Sequence, residues 1–123
     1  MRMTPETPVR RYRTGLRSDV RMHDVGRLEL EADEQVTFTT EGGGEYDVAR
    51  KEWGFYATPS VNGRLVGFGL RTVVVRNGLG RYFVLLVERG KEDSFERYVR
   101  DECLDVMAWL DDDEALARLF DGR

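Results

Sequence analysis

An α+β fold is the class this sequence predicts, and two observations predict it. Thr72–Val75 and Tyr82–Val87 are unbroken apolar, β-branched runs on either side of Asn77-Gly78-Leu79-Gly80, which reads as strand, turn, strand. Behind them, two stretches near the C-terminus carry apolar side chains at helical spacing. The expected architecture is a mixed, mainly antiparallel sheet of roughly five to seven strands, with two C-terminal helices packed on one face. The 123 residues are expected to form one domain, 28–123, preceded by an arginine-rich arm, 1–27, that is partly extended.

Within the arm, Pro5 and Pro8 disfavour a helix, and short extended pieces are expected. From Leu28 the pattern changes. Leu28, Leu30 and Ala32 alternate with Glu29, Glu31 and Asp33, the period of a half-buried strand. Val36, Phe38 and Thr40 repeat it, and Gly42-Gly43-Gly44 then lets the chain turn back into Tyr46–Arg50 as a hairpin partner. Gly67 and Gly69 around Phe68 suggest a bulge ahead of the valine run. The runs at 72–75 and 82–87 read as central strands covered on both faces.

Phe95, Tyr98, Val99 and Cys103 form one helical stripe over about residues 92–102, with Asp93 and Glu96 at capping-box spacing. Val106–Leu110 follows as a strand, and strand–helix–strand in this order suggests a crossover with parallel pairing. Asp111 is expected to cap a last helix with Leu116, Leu119 and Phe120 facing inward and Gly122 ending it.

Charge is unevenly spread. Residues 1–27 hold seven arginines against three acids, whereas residues 91–123 hold five basic residues against eleven acids. A basic arm can bind nucleic acid, but the net charge of −4 makes this chain a poor general nucleic-acid binder. The arm is therefore expected to lie on the acidic end of its own chain or of a second copy, and a homodimer is one expected assembly. No apolar run approaches the length of a membrane span, and the charged start is followed by no apolar stretch, so neither a membrane partner nor a secretory leader is expected. The lone Cys103 forms no internal disulfide, which fits a cytoplasmic setting.

Residues 45–65, EYDVARKEWGFYATPSVNGRL, depart most from simple patterning, and Gly54, Pro59 and Gly63 make much of the segment read as loop at the end of a strand. Tyr46, Trp53 and Tyr56 offer aromatic faces, Asp47 and Asn62 can pair hydroxyls, and Arg50 and Arg64 can hold a phosphate or carboxylate. That set suits a polar, anionic small molecule such as a sugar or nucleotide derivative. The expected role is a binding or accessory protein. A small enzyme using Asp47 or Tyr56 as proton carrier, and a homodimeric interaction module, are the alternatives. No cofactor and no metal is expected: Asp111-Asp112-Asp113-Glu114 suits a helix start, His23 has no evident partners, and Glu88-x-x-Lys91 lacks the E-x-K spacing that a nuclease centre needs.

Overall fold

The computed structural model describes residues 1–121 and shows an α+β chain whose strand pairings are all antiparallel. Among the described residues there are eight strands in three small sheets, rather than one larger sheet, and three helices. The first sheet is a long hairpin of β1 (Arg2–Thr14) and β2 (Val20–Glu29). The arm thus pairs with itself over most of its length. Its register shifts between Pro5 and Arg10, where prolines lack the N–H that a regular ladder needs. The alternation at 28–32 is only the tail of β2, since the chain turns at Glu31–Glu34 with Asp33 at a positive φ of 68°.

The second sheet has the order β3 (Gln35–Thr39), β4 (Glu45–Lys51), β5 (Gly54–Ala57). Its first turn is the glycine run, where Gly43 takes φ 95° and the Thr40 amide donates to the Gly44 carbonyl at 3.0 Å. Residues 45–65 are therefore mostly ordered structure: β4, a turn at Glu52-Trp53, β5, and a short helix α1 (Arg64–Gly67). The expected bulge at Gly67–Gly69 is instead the exit from α1, with Gly69 at φ 83°.

The third sheet holds the core, in the order β7 (Tyr82–Glu88), β6 (Leu70–Arg76), β8 (Asp105–Trp109). Helix α2 (Glu92–Asp101) lies between β7 and β8 in the chain, and α3 (Asp113–Phe120) follows β8. Only β6 is central. β7 and β8 run in the same direction, but β6 lies between them, so the expected parallel pairing becomes two antiparallel ones. β7 is an outer strand, and Tyr82, Phe83 and Val84 are exposed where burial on both faces was expected. A continuous apolar run marks a strand, but it does not say which of two such runs wins the middle.

One face of this sheet carries Val73, Val75 and Val87, packed with Leu85, Phe95, Leu104 and Trp109. Phe95 meets Trp109 edge to face at 5.6 Å, the geometry that ring quadrupoles favour. The opposite face buries Leu70 and Thr72, and the fully buried Leu65 belongs to α1, which packs on β6.

Helix ends are set by different residues than expected. α2 begins at Glu92, whose carboxylate accepts from the Gly90 amide at 2.7 Å, and no capping box forms between Asp93 and Glu96. α3 is capped by Asp112, which accepts from the Glu114 and Ala115 amides. Asp111 is drawn off by Arg71 instead, at 2.7 Å. Leu116 is half-buried, whereas Leu119 and Phe120 face solvent, and Gly122 lies outside the described residues. Cys103, expected within the α2 stripe, sits exposed just beyond the helix at φ 51°. There the Leu104 and Cys103 amides close the helix end on the Val99 and Arg100 carbonyls.

Arg71 ties these pieces together. Its guanidinium pairs with Asp111, reaches Glu92 at 3.6 Å and lies over the Trp109 ring at 4.1 Å. Arg71→Ala would leave the largely buried Asp111 carboxylate unpaired, and a urea melt is expected to show a loss of about 3 kcal/mol. Arg71→Lys should recover only part of it, because an ammonium cannot reproduce the planar fork or the stacking.

Three carboxylates give the fold an acid limit. Asp24 is held below its ordinary 3.8 by the Arg10 guanidinium and then the Gly26 amide. Glu34 lies below 4.5 through the Glu31 amide and the N-terminal ammonium, and Glu92 through its own and the Gly90 amides. The unfolded chain takes up these protons at higher pH than the folded one, so their contribution is present at neutral pH and disappears on acidification. The melting temperature is expected to fall as pH drops from about 5 toward about 3, and Asp24→Asn should flatten the lower part of that fall.

Candidate functional site

The pleat of the second sheet decides which of the expected ligand residues can act together. Residues directly opposed across antiparallel strands share a face, and successive residues alternate. Arg50 is opposite Phe55, and Tyr46 is opposite Phe38, so these four lie on one face with Val48 and Val36. Tyr56 is opposite Ala49 and Asp47 is opposite Thr37, which puts Asp47 and Tyr56 on the other face. Strand geometry thus divides the expected set in two.

On the Asp47 face, the carboxylate accepts the Thr37 hydroxyl at 2.6 Å, and no hydrogen bond joins it to Tyr56. On the Arg50 face, the guanidinium Nη1 is buried and has no acceptor among the described residues, although the arginine as a whole is half-buried. Its backbone holds the sheet edge: the Arg50 amide donates to the Glu34 carbonyl at 2.8 Å, and its carbonyl accepts from Asp33 at 2.6 Å. Phe55, its cross-strand neighbour, is 65% exposed.

Trp53 stands at the β4–β5 turn, 72% exposed, which leaves its ring free for contact but not enclosed. Asn62 lies in the turn before α1, and its amide donates to the Asp113 carboxylate at 3.0 Å, docking that turn on the start of α3. Arg64 opens α1, donates to the Thr58 hydroxyl at 3.1 Å and places its guanidinium over the Phe68 ring. These two side chains are therefore partly engaged in holding the turn itself.

A separate cleft of about 710 Å³ opens between the β1–β2 turn, the β6–β7 turn and the C-terminal end of α2. Leu16, Leu79, Phe83 and Tyr98 form apolar walls, and Glu102 and Cys103 form the polar end. Glu102 is only 8% exposed and accepts the Leu16 amide at 2.9 Å, so it fastens the tip of the N-terminal hairpin to the body. No sequence pattern pointed here, because the cleft joins segments 86 positions apart. A buried carboxylate at its end makes it an unfavourable seat for an anion.

Among the described residues, no group of three or more His, Cys, Asp or Glu side chains is placed to hold a metal ion, and no helix is long and apolar enough to cross a membrane. None of their ion pairs joins residues 1–27 to residues 91–123. Arg2 and Arg10 instead pair within the hairpin with Glu29 and Asp24. Comparison with protein-family models, curated proteins and solved structures returned no match.

Glu102→Ala is expected to release the hairpin tip without unfolding the third sheet. Hydrogen exchange at the Leu16 amide should speed up by at least tenfold, while the β6 amides keep their protection.

Proposed function

We propose that this chain is a cytoplasmic binding module without chemistry of its own, which takes a polar, anionic small molecule on the Arg50 face of the β3–β5 sheet. The ligand class is a sugar or nucleotide derivative that carries phosphate or carboxylate. One observation carries the reading: a guanidinium nitrogen, Arg50 Nη1, is enclosed yet has no acceptor among the described residues. A buried donor without a partner costs about 1–3 kcal/mol, and more when charged, so an anionic oxygen would recover that cost once a rotamer change of the half-buried Arg50 side chain turned Nη1 outward to meet it.

The neighbours suit the rest of such a molecule. Phe55 lies directly across from Arg50, and Tyr46 and Phe38 continue the same face, so aromatic surface is available for a base or the apolar side of a sugar ring. Trp53, at the adjacent turn and 72% exposed, offers a further ring close to that sheet. An enzyme reading is less well supported, since the two proton-carrier candidates, Asp47 and Tyr56, lie on the face opposite Arg50.

The test is a thermal-shift titration with inorganic phosphate, a sugar phosphate, a nucleoside monophosphate and a nucleotide sugar. A true ligand at a hundredfold excess over its Kd stabilises by about 2.7 kcal/mol, which for a chain of this size raises Tm by roughly 10 °C. Arg50→Gln should abolish the shift and Asp47→Asn should keep it. No shift with any of the four probes, or a shift that survives Arg50→Gln, overturns the assignment.

A further inference from the structure

The chain leaves far more surface open than a self-sufficient domain of its mass. Its accessible surface is 9203 Å² for 14.2 kDa. A folded monomer of that mass is expected to show about 6,800 Å². The excess, about 2,400 Å², exceeds the roughly 800 Å² that each partner contributes to a standard interface and is of the size that permanent assemblies bury. The buried apolar core among the described residues is correspondingly small: Leu65, Leu70, Val73, Val75 and Val87.

One strand edge offers the place where a partner would join. β7 is hydrogen-bonded to β6 on one side, and no other strand pairs with it among the described residues. Its first six residues, Tyr82 to Val87, contain no charge and no proline, and its register with β6 runs without a shift. Natural sheets usually guard such edges with charge, proline, bulges or short length. The other outer strands carry those guards. β1 has Pro5, Pro8 and a run of arginines, β2 has Arg21, Asp24 and Arg27, β8 has a register shift and Asp105, and β3 and β5 are short. β7 has no proline and no register shift, and its one charge, Glu88, stands at its very end. Beside it, Tyr82 and Val84 lie open on the face whose other end buries Leu70 and Thr72, and Val84 is 66% exposed.

From this we infer that the β7 edge is an interface for a second copy of the chain: β7 pairs antiparallel with β7 of its twin across a two-fold axis, and the two three-stranded sheets become one of six. A second copy is the occupant that the geometry favours because an antiparallel strand paired with itself is self-complementary and closes after two chains. The uncharged run Tyr82–Val87 also brings no like charges into contact. The assembly differs from one built on the arginine arm, whose Arg2 and Arg10 are already paired internally.

Sedimentation equilibrium of the full chain tests it. The expected mass is about 28 kDa at micromolar concentration, twice 14.2 kDa. Val84→Lys, on an exposed position, should weaken the dimer at least a hundredfold while circular dichroism stays unchanged. A monomeric wild type, a ladder of larger species, or a dimer that survives Val84→Lys overturns the inference. Should that variant fail to fold, concentration-dependent hydrogen exchange of the wild type decides. Protection of β7 amides must rise with protein concentration, and protection that is independent of concentration overturns it.

Discussion

The third sheet is organised around a single guanidinium. Arg71 leaves β6 at the end of its core-facing row and meets Asp111, Glu92 and the Trp109 ring at once. Each contact fixes a different element: the approach to α3, the first turn of α2, and the end of β8. Arginine suits the position because its planar fork binds carboxylate while its face stacks on indole. The pair with Asp111 is shielded on both sides, so it persists in salt better than the exposed pairs of the hairpin. The indole that Arg71 stacks on also meets Phe95, and both rings pack against the small valine core.

Around that sheet the rest of the chain is attached by few, specific links. The N-terminal hairpin is fastened at its tip by Glu102 and at its base by the N-terminal ammonium on Glu34. The β3–β5 sheet joins through the Glu45 amide on the Phe68 carbonyl and through the Thr40 hydroxyl on Glu88. Polar links of this kind fix position while burying little apolar area, which explains why so many large side chains remain exposed. Stability should accordingly be uneven, highest in β6 and lowest in the hairpin.

This division also separates the two proposed roles. Ligand binding is assigned to one face of the β3–β5 sheet and self-association to the edge of β7, so one can fail without the other. The proposal for the Arg50 face rests on a charged donor that has no partner among the described residues. The proposal for the β7 edge rests on a strand that no second strand pairs with on its outer side among the described residues and on the exposed Tyr82, Phe83 and Val84.

Much of the local structure was legible along the chain. The Asn77–Gly80 turn, the Gly42–Gly44 turn, β6, β7 and α2 all follow from period, β-branching and glycine placement, which act over a few residues. The candidate residues Tyr46, Asp47, Arg50, Trp53, Tyr56, Asn62 and Arg64 were legible as a chemically rich segment, but not as strand β4, a turn, strand β5 and a helical turn. What the sequence by itself determined is the α+β class and the strands, turns and helices of the most regular segments, β6, β7, α2 and the two glycine turns. Only the tertiary structure decided that the strands split into three sheets, that β6 rather than β7 is central, that Asp111 serves Arg71 rather than α3, and that Arg50 and Asp47 look in opposite directions. The physical reason is range: propensity and periodicity are set by neighbours in sequence, whereas strand order, side-chain partnership and shared faces are contests between residues far apart in the chain.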